Sequence, residues 1–272
     1  MKKIQITLLG ALLLLTASCG SGTTGKTASI DGMEFDSIVA DTTFRLVEGD
    51  EQSPSCHIKL NIQYAKGGKE AQALNDSLIH GGLLVPDYLA LGKERLTMQV
   101  AIDSFVKRYA ADYMKDYAPL YRQDRDHASS YNCEYVVNTT TRNGRDNVVN
   151  YVVDSYFYGG GDHGTQQTIV RNIDINTGRT LRLADIFVPG YEQGLTDKIV
   201  ERICEKFKAK NLDELRKQVV FEGIDPYPSD NFVLGKDEVT FIYVEDEIAP
   251  HAVGEVSVAL PYSELDDLMK RE

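Results

Sequence analysis

The chain has 272 residues and an acidic composition, with 41 Asp and Glu against 29 Lys and Arg and a formal net charge of -12. An acidic surface repels phosphate groups, so the charge argues against a nucleic-acid-binding protein. The length allows one large domain or two small ones, each with a substantial core.

The first 18 residues have the features of a secretory signal. A basic start precedes an apolar run from Ile4 to Leu15, which is too short and wrongly flanked to be a membrane-spanning helix. The next residues, TASC, resemble the lipobox of bacterial lipoproteins, although Thr16 stands where Leu is most common. The resemblance implies lipidation of Cys19, and the small polar residues of 19–34 predict a flexible tether. We therefore expect a protein of the cell envelope, lipid-anchored to the membrane at its periplasmic face or at the outer membrane.

The N-terminal half is predicted to contain a strand and two helices. From Ser55, the run SCHIKLNIQYA alternates apolar and polar residues, as a half-buried strand does. The run EAQALNDSLIHGGL is typical of a short helix that ends at Gly81 and Gly82. An apolar stripe in residues 94–118 predicts a long helix that ends at Pro119.

The following residues are mostly strand-like. YNCEYVVNTTT and NVVNYVVDSYFY flank an Asn143-Gly144 turn and predict a hairpin, and QQTIVRNIDI and TLRLADIF come next. Helices are predicted over 195–208 and in LDELRKQV, then a hairpin in DNFVLGKDEVTFIYV, a last strand GEVSVAL and a final helix that Ser263 caps. Grouped strands without regular βαβ alternation predict an α+β fold with a mainly antiparallel sheet, helices packed on it, and two closely associated subdomains.

Motifs of the second half resemble a known family. YGGGDHG, NIDINTGRTLRLADIF and FIYVEDEIAPHAVGEVSVALPYSEL are similar to the RsiV-type domain of unknown function, over about residues 150–268. The segment of about 35–145 resembles the companion N-terminal domain of RsiV and of the deacetylase PdaC. The resemblance implies two domains, over 35–145 and 146–272. It also implies a binding or sensing module without catalysis, whose ligand is a cationic protein such as lysozyme or the peptidoglycan of the cell wall.

The segment YFYGGGDHGT fits the dinucleotide-binding pattern G-x-G-x-x-G at Gly159, Gly161 and Gly164. A nucleotide turn needs a helix after the glycines, so that the helix N-terminus faces the pyrophosphate. Here QQTIVRNIDI, a predicted strand, follows, which argues against a nucleotide cofactor. We instead expect a tight connection between two strands, in which His163 points inward and hydrogen-bonds the backbone.

Five residues are candidate ligand contacts, because they lie in or beside the motif-bearing loops: Tyr158, Asp162, His163, Glu247 and His251. If the loops meet, two imidazoles and a carboxylate could bind zinc or supply a general base. The alternative function is therefore a cell-wall hydrolase or deacetylase that uses His163 and His251. No HExxH or similar spacing places two ligands on one element, so we expect no metal, no cofactor and no catalytic residue.

Three cysteines remain besides Cys19. Cys204 lies at helical spacing among apolar residues and is predicted to be buried packing. Cys56 and Cys133 both begin predicted strands, and an oxidising compartment would permit a disulfide between them.

Overall fold

The computed structural model describes residues 33–88 and 95–271. The predicted signal sequence, the lipidation site Cys19 and nearly all of the predicted tether lie outside these described residues. Within them, no helix combines the length and the apolar character needed to cross a membrane.

The larger sheet has six strands in the order β1-β2-β3-β4-β5-β6. Its strands are β1 (Glu34–Arg45), β2 (Ser55–Lys66), β3 (Cys133–Asn143), β4 (Val148–Tyr158), β5 (Thr165–Asp174) and β6 (Arg179–Thr180). Neighbours are antiparallel except β2 and β3, which are parallel. A parallel pair needs a long crossover, and helices α1 (Ala71–His80) and α2 (Met98–Gln123) lie in it.

The smaller sheet has three antiparallel strands in the order β7-β8-β9. They are β7 (Phe232–Leu234), β8 (Glu238–Tyr243) and β9 (Val256–Pro261), and the helices near them are α3 (Leu183–Ile186), α4 (Glu192–Phe207), α5 (Leu212–Lys217) and α6 (Tyr262–Leu265). The predicted α+β class with a mainly antiparallel sheet is confirmed. The predicted domain boundary after residue 145 falls in the β3–β4 turn, inside the larger sheet.

The alternating apolar residues of β2 form part of the hydrophobic core of the larger sheet. Cys56, Ile58, Leu60 and Ile62 of β2 are fully buried, while Lys59 between them is exposed. Each buried aliphatic side chain contributes about 1.5–3 kcal/mol relative to an exposed one. The structure confirms the predicted strand SCHIKLNIQYA as β2, and it confirms the short helix α1 and the β3–β4 hairpin. It also confirms the predicted helices α4 and α5 and the β7–β8 hairpin.

Two buried asparagines join the two sheets. The Asn150 side-chain amide donates to Asn172 Oδ1 at 2.9 Å, and Asn172 Nδ2 donates to the carbonyl of Phe232 at 2.8 Å. The Leu234 N–H donates to the same Asn172 oxygen at 2.8 Å. Because a buried polar group needs a partner, this network fixes β7 against β4 and β5.

The prediction that Pro119 ends the long helix is wrong. The helix α2 continues through Pro119 to Gln123. Proline removes the hydrogen bond to the carbonyl four residues earlier, but that residue, Lys115, is exposed, so water can satisfy its carbonyl. Ala118 and Tyr121 are buried, and this packing holds the last turn in helical form.

The strand reading of TLRLADIF is also wrong for most of its length. Only the two residues of β6 pair with β5, and α3 begins at Leu183. Leu183 and Phe187 are buried at helical spacing, and the Arg182 N–H donates to the Asp185 carboxylate at 2.8 Å, which closes the first turn. The final helix is likewise shorter than predicted. It covers Tyr262–Leu265 and has no side-chain cap from Ser263.

Cys56 and Cys133 lie opposite each other on the parallel strands β2 and β3, and both thiols are free. A hydrogen bond with the Cys56 thiol lowers the pKa of Cys133 to about 7. The hydrogen bond to Cys133, together with burial, raises the pKa of Cys56. The two sulfurs are therefore neighbours, and their disulfide stays a prediction.

We expect the chain exported to an oxidising compartment to hold one free thiol among residues 33–271, that of Cys204. Counting alkylated thiols after denaturation measures this, with Cys204→Ser as the matched control that should leave none. Reduction is expected to lower the free energy of unfolding by roughly 4 kcal/mol, because the closed loop is long. Three alkylated thiols in the exported chain would contradict the prediction.

Candidate functional site

The first candidate site is a pair of histidines that two loops bring together. The rings of His163 and His251 stack with their centroids 4.0 Å apart and an interplanar angle of 23°. His163 comes from the β4–β5 connection, and His251 begins a short 3-10 turn before β9. His251 Nδ1 lies 3.4 Å from Glu245 Oε1 and 3.1 Å from Asp246 Oδ2. Glu245 also accepts the Gln166 N–H at 3.1 Å, which ties the two loops.

The expectation that His163 points inward is wrong, because His163 is exposed and stacks on His251. The ring contact with His251 holds His163 on the outer side of the loop. Gly160, whose φ is +84°, lies against the Ser130 carbonyl and leaves no room there for a side chain. The tight strand-to-strand connection itself is present as expected.

Among the described residues, Glu247 forms no ion pair with either histidine. Its carboxylate accepts the Tyr227 hydroxyl at 2.6 Å and the Val244 N–H at 2.7 Å. Burial and the hydrogen bond to Glu247 raise the pKa of Tyr227. Glu247 therefore stabilises the turn that presents Glu245 and Asp246.

The remaining predicted contacts, Tyr158 and Asp162, form no hydrogen bond or ion pair with the histidine pair. Tyr158 is half-buried at the end of β4, opposite Glu134, and Asp162 is exposed. Within residues 33–88 and 95–271, no group of three or more His, Cys, Asp and Glu side chains is arranged to hold a metal ion. The histidine site is a shallow, acidic surface cluster.

The second candidate site is a groove of about 1420 Å³ between the larger sheet and its covering elements. Its floor is one face of β3, β4 and β5, where alternate residues of β5 from Thr165 to Arg171 point into it. At about 3.4 Å per residue, this row of β5 is roughly 20 Å long. Helices α1 and α2, the segment 81–88 and the start of α3 form the walls.

Aromatic side chains line much of this groove: Tyr88, Tyr109, Tyr113, Tyr117, Tyr131, Tyr135 and Phe157. Several of them are fixed by hydrogen bonds. The Tyr113 hydroxyl donates to the Tyr131 carbonyl at 2.8 Å, and the Tyr135 hydroxyl accepts the Val85 N–H at 2.9 Å. Burial raises the pKa of Tyr135 to about 12.

Two aromatic rings of the groove are exposed. Tyr117 is 39% exposed and Phe157 is 45% exposed. Tyr117 packs against Tyr113 and Tyr131, with ring centroids 5.6 and 6.2 Å away. An exposed ring held by rigid neighbours supplies contact area for a ligand at little cost in conformational entropy.

Part of the chain is similar to known proteins. Residues 184–263 match the DUF3298 family model. The family is described as "Protein of unknown function (DUF3298)". A crystal structure of a DUF3298 family member from Bacteroides fragilis matches this chain with a TM-score of 0.77 and 26% identity, over 88% of this chain and 94% of that one.

A crystal structure of a DUF3298 family protein from Pseudomonas aeruginosa is a more distant match. The TM-score is 0.58 and the identity is 18%, over 88% of this chain and 95% of that one, which supports the shared fold alone. No curated protein matches the sequence.

The segment that matches the DUF3298 model overlaps the groove only at one end. This segment contains His251 and its acidic neighbours, and it reaches the groove through Ala184, Asp185 and Asp230. Most of the groove is built by residues before this segment, from α1, α2 and β3 to β5. The groove therefore depends mainly on the six-stranded sheet and its covering helices.

Sequence reasoning missed the groove, although one signal was present. Tyr109, Tyr113, Tyr117 and Tyr121 recur every four residues along α2. Side chains at this spacing share one helix face, so the run predicts an aromatic stripe. The sequence does not show that part of this stripe faces an open groove. That becomes visible only in the structure, where α1 and α2 cover the sheet.

Proposed function

We propose that this protein is a lipid-anchored, non-catalytic binding or sensing module of the cell envelope, and that its groove binds a cell-wall glycan. The observation that carries the proposal is the groove of about 1420 Å³ with two exposed aromatic rings in its lining. The volume exceeds the roughly 300–1,000 Å³ of small-molecule pockets, so it suits an oligomeric ligand. The lipobox-like TASC and the RsiV-like motifs support the envelope location and the absence of catalysis.

A glycan suits this groove better than a folded protein such as lysozyme. The floor is about 20 Å long along β5, which fits an extended chain. Flat aromatic faces beside polar side chains, such as Ser155, Gln167 and Asp112, match the alternating apolar faces and hydroxyl edges of sugars. Lysozyme binding is a separate outcome of the test.

We expect Phe157→Ala to weaken retention on insoluble peptidoglycan by about tenfold, because the change removes an exposed ring from the groove floor. Co-sedimentation of the purified full chain with peptidoglycan measures the effect. Leu120→Ala is the matched control, because Leu120 is 47% exposed on α2 but lies outside the groove.

Retention that Phe157→Ala leaves unchanged would count against the groove as the site. A wild-type chain that binds lysozyme beads and leaves peptidoglycan unbound would favour the protein ligand over the glycan.

The stacked histidines support a second candidate function, a cell-wall hydrolase or deacetylase. His251 lies beside two carboxylates, an arrangement that suits a general base. Under the binding proposal, we expect no release of sugar fragments or acetate from muropeptides, and unchanged peptidoglycan retention in His163→Ala. Turnover by the wild type that His163→Ala abolishes, and that the exposed control His127→Ala retains, would establish the enzyme instead.

A further inference from the structure

One end of the groove is lined by Arg171, Arg179 and Arg182, and we call it the arginine end. The positive charge of Arg171 has no carboxylate partner there. Arg171, on β5, lies at this end and is partly buried. Its Nη2 donates to the Gly81 carbonyl at 3.1 Å. Among the described residues, no carboxylate lies within ion-pair distance of this guanidinium.

Burial without a counter-charge is unfavourable for Arg171. A buried charge is normally paired, because the loss of water is compensated only by an opposite charge or by several hydrogen bonds. Burial lowers the pKa of Arg171, which is the direction expected for a cation that has lost water and gained no carboxylate. A ligand carboxylate would supply the missing partner, and a guanidinium can bind both of its oxygens.

The neighbouring charges make this end positive in an acidic protein. Arg179 and Arg182 also line the groove, at the β6–α3 connection. Arg179 Nη2 lies 3.6 Å from Asp185 Oδ1, and Asp230 is the other carboxylate in this part of the lining. Three guanidiniums therefore face two carboxylates here, while the whole chain has a net charge of -12. Asp112 and Asp116 of α2 also line the groove, so its positive and negative groups come from different elements.

We propose that the groove selects a glycan that carries a carboxylate, and that Arg171 binds this carboxylate. The proposal rests on the proposed function, because it assigns the charge and the orientation of the glycan in the same groove. The tyrosine-rich wall contacts the sugar faces, and the arginine end fixes the acidic group. Arg171 is then a specificity-determining residue, because a neutral glycan gains nothing from it.

The test compares one ligand in two charge states. Soluble peptidoglycan glycan fragments are used as prepared and after conversion of their carboxyl groups to amides, and isothermal titration calorimetry on the purified full chain gives the two dissociation constants. We expect the carboxylate form to bind about tenfold more tightly than the amide form, as a charge-assisted bidentate contact would give. In Arg171→Gln we expect the two forms to bind equally, because glutamine carries no charge.

Two further variants separate a loss of recognition from a loss of folding. Arg171→Lys keeps the charge without the planar fork and should retain only part of the preference. Arg142→Gln changes an exposed arginine of β3 outside the groove and should behave as the wild type. Affinity of Arg171→Gln for the amide form should equal that of the wild type.

Equal binding of both forms by the wild type would overturn the carboxylate proposal and leave the glycan-binding function intact. A preference that survives in Arg171→Gln would overturn the role of Arg171. A wild type that binds neither form would overturn the proposed function and, with it, this inference.

Discussion

Replacing Asn172 with leucine is expected to lower the free energy of unfolding by about 4 kcal/mol, because two buried backbone groups lose their partner and Asn150 Nδ2 loses one of its two acceptors. The Asn172 side chain accepts from Leu234 N–H and from Asn150 Nδ2, and it donates to the Phe232 carbonyl. Leucine has a similar shape but neither donates nor accepts. Each buried group left without a partner costs about 1–3 kcal/mol, less whatever relaxation restores.

Urea denaturation followed by far-UV circular dichroism measures the change. Asn176→Leu is the matched control, since Asn176 is exposed in the turn between β5 and β6, and we expect it to change stability by less than about 0.5 kcal/mol. An Asn172→Leu protein within about 1 kcal/mol of the wild type would show that the asparagine pair does not hold the two sheets together.

The asparagine network also shows which parts of the fold can be predicted from the sequence and which cannot. Alternation in SCHIKLNIQYA predicted β2, because half-burial of a strand leaves a period of two in the sequence. Asn150 of β4 and Asn172 of β5 do not follow such a pattern, because they are polar residues in buried positions. Nothing local indicates that they meet each other and the backbone of β7, because the two asparagines lie 22 residues apart and the backbone partners of Asn172 lie 60 and 62 residues away.

Two misread elements have the same cause. Pro119 and the run TLRLADIF were read from local propensity, and burial of Tyr121 and Phe187 decided the outcome in each case. Both histidine loops were identified from their motifs, but the outward direction of His163 follows from its stacking on His251, a contact between loops distant in the sequence. The groove could not be predicted, because its lining comes from α1, α2 and three strands that meet only in the fold.

The second large effect is expected at Gly160. Its φ of +84° is strained for any residue with a side chain, and a Cβ at this position would lie 2.0 Å from the Ser130 carbonyl oxygen. Because that contact is with backbone, the loop itself must move. We expect Gly160→Ala to lower the free energy of unfolding by about 2–3 kcal/mol and to separate His163 from His251.

Gly161→Ala is the matched control, because its added Cβ would have no neighbour closer than 4.0 Å. Denaturation gives the stability of each variant, and imidazole resonances in NMR spectra report whether the two rings still stack. Equal stability of the two alanine variants, with the rings still stacked in both, would contradict the proposed packing of this loop.

The most direct test of glycan binding in the groove is hydrogen–deuterium exchange of the full chain with and without peptidoglycan glycan fragments. We expect slower exchange in β4, in β5 and in α2 around residues 109–117, because these elements form the floor and the aromatic wall. Exchange in residues 244–251, around the histidine cluster, should stay unchanged. Slower exchange confined to 244–251, or no change anywhere in the chain, would contradict the assignment of the groove as the glycan site.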